Sequence, residues 1–418
     1  MRAGRRFGWL SLWAGVLACT EKVTAPGECP DFCPGGSLTV LDTVLRTAIG
    51  RDSAFRGFIL AHEAPDLLAA DLPAVVDSRP IFRLQPISSR ARIGTDTTTG
   101  PVRGVDSLRL SIVITRRDTA ASNLTLRLYL LPLTIDSATT FADLAAPFAG
   151  APVRTVNVHS LLARPGKKDP VTGDSVVVDT LRRVTVLVKL DSAQAPYVPA
   201  DSGALAFGIR VAADSLASIA LGGGGGALTP TLTWFFKVDS LGRVVHRGQN
   251  PLVTTFSSFV FDPPPPPLDL NLAVGGVPAA RSILRVSLPR FIRDSTVIVR
   301  GTLILVPAVA ARGAPADSFS LTAQAVVADF GAKSPLTPDL LRRDSAEVRV
   351  GSTDTVRIEL TGLLRIWSLD TLAPTAIMLR QTREGGSLGE IRFYPSANAA
   401  FRPALQVTYM PRFRLGIP

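Results

Sequence analysis

Residues 108–114 read Leu-Arg-Leu-Ser-Ile-Val-Ile, with an apolar side chain at every second position. Residues 124–130 (Leu-Thr-Leu-Arg-Leu-Tyr-Leu) and 184–190 (Val-Thr-Val-Leu-Val-Lys-Leu) repeat the alternation. Because successive side chains of a β-strand point to opposite faces of a sheet, this period of two indicates strands with one buried face. The sequence therefore predicts an all-β protein made of antiparallel sheets.

Asp-Ser and Asp-Thr pairs separate many of these runs, as at Asp106, Asp136 and Asp174. Short side chains that bond their own backbone suit turns and strand starts. Calcium ligation by loop carboxylates is the alternative, but no run has the dense acidic spacing of a calcium loop. We therefore interpret the pairs as turn residues and predict no metal.

The strand pattern occurs twice along the chain. The apolar positions of residues 108–126 reappear 195 residues later, from Leu303 to Leu321. Those of residues 176–188 reappear after 172 residues, and the closing run 230–236 matches 403–409 at a spacing of 173. This order predicts one duplicated module with about 23 additional residues in the first copy; two unrelated all-β domains are the alternative.

The length and the proline run suggest the domain limits. We predict a signal peptide at 1–18, a tether at 19–40, a first β-sandwich at 41–262, a polyproline linker at 263–267 and a second β-sandwich at 268–418. Five prolines form a stiff extended helix of about 3.1 Å per residue, so the linker is expected to space two bodies by roughly 15 Å.

The N-terminus has the features of an export signal. Three arginines precede an apolar run over residues 7–18, which ends at Cys19. The run is too short to span a bilayer, and Val16-Leu17-Ala18-Cys19 resembles the bacterial lipobox. The resemblance implies lipid attachment at Cys19, and Thr20 after it implies sorting to the outer membrane. An ordinary secretory signal is the alternative.

Cys29 and Cys33 lie close together in the tether. In an oxidising envelope the two cysteines can pair as a disulfide or remain unpaired, and the sequence leaves both alternatives open. A zinc site is disfavoured because none of the three histidines is near the pair.

The chain carries 45 basic and 34 acidic residues, a net charge of +11 that falls to +8 once residues 1–18 are removed. The arginines are scattered among apolar residues without the clusters typical of nucleic-acid binding. We therefore predict no nucleic-acid partner. The basic surface favours anionic partners such as acidic polysaccharide or lipid headgroups.

The chain has no motif of a familiar catalytic site. It lacks a Gly-x-Ser-x-Gly elbow and a His-Glu-x-x-His pair, and its three histidines are far apart. The glycines at 222–226 are not followed by the Lys of a phosphate loop. We predict a protein that is not an enzyme and needs no cofactor.

Exposed aromatic residues mark many sugar-binding surfaces, and the chain after Cys19 has few. Trp234 shares the alternation of Leu232 and Phe236 and is predicted to be in the core. Trp367 lies outside a clean alternation and Tyr197 lies in a proline-rich loop, so these two are the candidate ligand-binding residues.

Three segments, 281–289, 297–305 and 402–409, follow one another in a recognisable order. They resemble the leucine-arginine-apolar strand, the alternating strand and the closing proline-leucine-valine-tyrosine strand of DNRLRE-type jelly-roll modules, although the signature string itself is absent. The layout also resembles envelope lipoproteins with duplicated β-sandwiches.

The resemblance implies two tandem jelly-roll-like sandwiches of carbohydrate-binding type on a lipid-anchored envelope protein. We therefore expect a non-catalytic role in polysaccharide binding or adhesion. A structural lipoprotein that works through contacts with other envelope proteins is the alternative.

Overall fold

A computed structural model describes residues 39–57, 60–73, 75–87, 89–92, 99–118, 121–198, 203–223, 227–240, 242–248, 251–262, 270–314, 317–328 and 337–412. Strands account for 54% of these residues and helices for 8%, and the strand pairings among them are antiparallel. The predicted all-β class is confirmed, and the jelly-roll connectivity stays a prediction. Within these ranges, no helix is long and apolar enough to cross a bilayer.

The strands, in chain order, are β1 (Leu41–Leu45), β2 (Ile49–Arg56), β3 (Asp66–Leu72), β4 (Val76–Leu84), β5 (Arg90–Arg92), β6 (Thr99–Arg117), β7 (Thr125–Leu131), β8 (Arg154–Asn157), β9 (Ser175–Val178), β10 (Val184–Leu190), β11 (Ala206–Ala212), β12 (Ala217–Gly222), β13 (Thr231–Ser240), β14 (Arg243–Gly248), β15 (Leu252–Asp262), β16 (Leu272–Gly276), β17 (Ala279–Val286), β18 (Thr296–Leu305), β19 (Ser318–Ala328), β20 (Thr337–Arg349), β21 (Val356–Glu359), β22 (Ala376–Gln381), β23 (Glu390–Phe393) and β24 (Ala404–Pro411). The helices are α1 (Ala145–Ala149), α2 (Val158–Leu162), α3 (Arg290–Ser295) and α4 (Thr361–Leu369), with a short 3-10 turn at Ala61–Glu63.

Body one, formed by β3 to β15, surrounds the largest core. Strand β6 pairs with β10 on one side and with β13 on the other. Its apolar positions face inward: Leu108 and Leu110 are fully buried, whereas Arg109 between them is exposed. Inward side chains of β4, β7 and β11 complete the core from the opposite side. The strands of body one pair into one continuous sheet that wraps around this core, and the alternation in residues 108–114 supplies part of its buried face.

Body two is formed by β16 to β24 together with β1 and β2. One layer has the order β1-β24-β18-β21. The other has the order β20-β19-β22-β17-β16-β23, with β2 also paired to β17. Inward residues of both layers, such as Leu303, Leu405 and Leu379, share one core.

The pairings of the two bodies follow one pattern. In body one β3 pairs with β4, β4 with β11, β11 with β7, and β6 with both β13 and β10. The same pairings recur in body two: β16 pairs with β17, β17 with β22, β22 with β19, and β18 with both β24 and β21. The corresponding strands follow one another in the same order along the chain. Even the buried serines correspond, because Ser78 donates to the carbonyl of Leu68 and Ser282 to that of Ala273. The pattern supports the predicted duplication.

One part of the predicted duplication is wrong. The match of 176–178 with 348–350 fails because β9 pairs with β10, whereas β20 pairs with β19 in the other layer.

The two bodies exchange their first strands. We call residues 41–56, which hold β1 and β2, the first arm, and residues 243–262, which hold β14 and β15, the second arm. The first arm pairs with β24 and β17 of body two. The second arm pairs with β13 and β4, the corresponding strands of body one. The predicted domain limit is therefore corrected: residues 41–56 belong to the second sandwich, because alternation does not specify which sheet edge a strand joins.

The bodies also touch directly. A small apolar cluster joins Leu68, Leu72 and Phe259 of body one to Val277 and Leu388 of body two. This contact contradicts the expectation of two bodies held apart by a stiff spacer.

Polar contacts lie beside this cluster. Arg383 forms an ion pair with Asp66 at 3.1 Å, and Arg116 donates to the carbonyl of Gly386 at 2.7 Å. The prolines 263–267 themselves lie outside the described residues, as do the signal at 1–18, Cys19, Cys29, Cys33 and most of the tether at 19–40.

Candidate ligand-binding face

The side of the β13-β6-β10 layer that points away from the core of body one is the candidate site, and we call it the outer face. Alternation dictates its composition, because every residue between two buried positions points outward. Arg109 lies at its centre, paired with Thr233 on β13 and with Lys189 on β10. Arg109, Lys189 and Lys237 are exposed, and Phe235 is half-buried.

Arg109 and Phe235 form the centre of the outer face. The guanidinium carbon of Arg109 lies 5.5 Å from the centroid of the Phe235 ring. This distance is within the range of a cation–π contact, which holds a long arginine side chain in place over the ring. A flat ring beside a fixed guanidinium can stack on an apolar sugar face and bind a carboxylate by paired hydrogen bonds.

Ion pairs border this centre. The carboxylate of Asp106 contacts Nδ1 of His246 at 2.5 Å and Nζ of Lys237 at 3.7 Å. Arg103 forms an ion pair with Asp239 at 2.6 Å. Hydrogen bonds from the Arg103 side chain and from the backbone N–H of Gly242 hold the pKa of Asp239 below its ordinary value. The four cations at positions 103, 109, 189 and 237 outnumber the two carboxylates, so the outer face favours anions.

Neither of the two predicted ligand-binding residues lies on the outer face. Trp367 is only 2% exposed, so the prediction that it lies on the surface is wrong. It belongs to α4, where Leu363, Leu364 and Trp367 share the side of the helix that packs into the core of body two. A helical period of 3.6 explains why this segment lacks a clean alternation.

Tyr197 is half-buried. Its ring lies edge-on to Trp234 with centroids 6.0 Å apart. Trp234 is fully buried, which confirms its predicted place in the core. Tyr197 therefore packs against Trp234 and is only partly exposed to solvent.

Sequence reasoning missed Phe235 and Arg109, although the signal was present. Phe235 lies between the inward Trp234 and Phe236, so its ring must point outward. An outward phenylalanine leaves apolar surface in water, and the neighbouring β6 places Arg109 against one side of the ring. The register between β6 and β13, which the sequence does not specify, brings the two together.

A concave feature lies beside α4 in body two. It is a cavity of about 280 Å³ bordered by Arg342, Arg343, Glu359, Leu363 and Ile366, among others. Partial burial raises the pKa of Glu359, but hydrogen bonds from Thr361 and Arg300 outweigh this effect and lower it overall. The cavity thus combines an ionised carboxylate with two arginines and an apolar wall.

In the part of the chain that the structure describes, no three histidine, cysteine, aspartate or glutamate side chains are grouped to hold a metal ion. No protein-family model matches the chain, and no curated protein matches it either.

Proposed function

We propose that this chain is a non-catalytic, lipid-anchored protein of the bacterial outer membrane that binds an acidic polysaccharide on the outer face of body one. The observation that carries the proposal is the Arg109–Phe235 pair in the middle of an exposed, positively charged sheet surface. The resemblance to carbohydrate-binding-like jelly-roll modules supports the same class of ligand.

The chemistry of the outer face suits a uronic-acid chain. The Phe235 ring offers a platform for the C–H face of a sugar, and Arg109, Lys189 and Lys237 offer charge to its carboxylates. The strands give a flat surface along which consecutive sugars can lie. Because these charges are exposed, we expect binding to weaken as salt increases.

The position of the first arm is consistent with anchoring. The tether that begins at Cys19 leads into β1, which is an edge strand of body two. The outer face is on body one. The proposed lipid attachment and the proposed binding surface are therefore on different bodies, so that an anchored chain keeps the outer face available.

The proposal is tested by binding to immobilised polygalacturonate, with neutral dextran as the comparison ligand. We expect Arg109→Ala and Phe235→Ala each to weaken polygalacturonate binding roughly tenfold, equivalent to about 1.4 kcal/mol. Arg127→Ala is the matched control, because Arg127 is an exposed strand arginine on β7, outside the outer face. Equal affinity of all three variants, or equal binding to dextran, would contradict the proposal.

A scaffold role through protein contacts is the second candidate. Strand β9 is the last strand of its layer, and its Val177 and Val178 are 48% and 42% exposed. An edge strand with exposed valines can add a strand from another protein. In that case Val177→Asp would abolish capture of an envelope partner, while polygalacturonate binding stayed unchanged.

A further inference from the structure

We propose that body two carries a recognition slot for the first arm, and that the slot binds residues 41–56 as a separate partner segment whether or not the chain between the bodies is intact. The slot is the pair of strand edges offered by β24 and β17. This inference does not depend on the proposed polysaccharide binding.

Main-chain pairing forms the basis of the slot. Strand β1 pairs with β24 from Leu41 opposite Tyr409 to Leu45 opposite Leu405. Strand β2 pairs with β17 from Ile49 opposite Val286 to Arg56 opposite Ala280. The arm therefore adds one strand to each layer of the sandwich, which is the geometry of strand addition to exposed sheet edges.

Apolar side chains of the arm complete the core of body two. Ala48 and Ile49, at the bend between β1 and β2, are 3% and 1% exposed and belong to that core. Burying the Ile49 side chain removes its apolar surface from water and so stabilises the contact. Without the arm, the core would be open to water at the bend.

Polar contacts distinguish this arm from an arbitrary strand. Asp52 accepts a hydrogen bond from the backbone N–H of Ser396, and Thr408 donates to Asp42. Arg56 forms an ion pair with Glu390 at 2.8 Å. These contacts fix the register of both strands.

The exchange is reciprocal, which makes it a lock between the bodies. The second arm fills the corresponding slot of body one. Along the chain, the first arm leads through residues 57–65 into body one, and the second arm leads through residues 263–271 into body two. A cut at 263–267 leaves the first arm covalently joined to body one but paired with body two. Two bodies connected only by a linker would come apart.

The experiment uses the full chain with a protease site in place of residues 263–267. After complete cleavage, we expect both fragments to elute together from a sizing column and to appear as one complex in native mass spectrometry. Separation of the wild-type fragments would overturn the proposal.

Two variants separate the arm from the direct contact between the bodies. Ile49→Asp places a charge at the bend of the first arm, and we expect it to lower the fraction of assembled fragments at least tenfold. Leu252→Asp is the matched control: Leu252 begins β15 of the second arm and packs on the core of body one, within the same fragment. If Ile49→Asp fragments stay assembled like the control, the slot is not what holds them.

A peptide experiment covers the case in which Ile49→Asp does not fold. A labelled synthetic peptide of residues 39–57 is incubated with the cleaved wild-type protein under mild denaturant. We expect it to enter the fragment that holds body two, and the same peptide with Ile49→Asp to be excluded. Entry of both peptides, or of neither, would contradict a specific slot.

Discussion

At the scale of single residues, the outer face shows how a sheet register creates a site. Arg109 and Phe235 are diagonal neighbours only because β6 and β13 pair Thr233 with Arg109 and Phe235 with Ser107. The alternation of the two strands implies that both side chains point outward. It could not predict that they meet, because the pairing partner of a strand is a long-range choice that its own sequence does not encode.

Asp239 offers a pH test at this scale. Its pKa is lowered in the folded protein by Arg103, so the ion pair stabilises the fold above the ordinary pKa of an unfolded aspartate, about 3.9, and that contribution is lost as pH falls through the lower folded value. We expect Arg103→Ala to raise the pKa of Asp239, as followed by NMR titration of the carboxyl carbon. An unchanged midpoint would contradict the role given to Arg103.

At the scale of elements, the strands were easier to predict than the helix. The runs at 108–114, 124–130 and 184–190 became β6, β7 and β10 because one buried face is enough to specify a strand. Helix α4 was missed because nine residues carry little periodic signal. Its place depends on tertiary contacts: a Cβ at Gly301 on β18 would lie 2.2 Å from Cδ1 of Leu364, so a larger residue there would push the Leu364 side chain aside.

Packing of α4 gives a stability prediction. Leu364 is fully buried, and its replacement by alanine leaves a cavity beneath the helix. We expect Leu364→Ala to lower the free energy of unfolding by about 3 kcal/mol in guanidinium titrations. Leu369 ends the same helix and is 79% exposed, so Leu369→Ala should change the free energy of unfolding by less than about 0.5 kcal/mol. Similar losses in both variants would show that α4 does not pack as described.

At the scale of the whole molecule, the sequence predicted the duplication but not the exchange. The repeated offsets follow from equivalent strands, such as β6 with β18 and β13 with β24, which keep their apolar positions. The alternation of the arms does not specify which body they pair with, because by this pattern alone each arm could complete either body. Only specific contacts, such as Ile49 in the core of body two, decide between the two slots.

The most direct test of this architecture is disulfide trapping between the first arm and body two. In a chain without Cys19, Cys29 and Cys33, cysteines replace Val44 and Gln406, which face each other across β1 and β24. Directly paired strand positions lie close enough for a disulfide. The comparison chain carries Val44→Cys together with Lys237→Cys. Lys237 lies on β13, the strand of body one that corresponds to β24. Strand exchange predicts a bond between 44 and 406 and none between 44 and 237; the opposite pattern would contradict it.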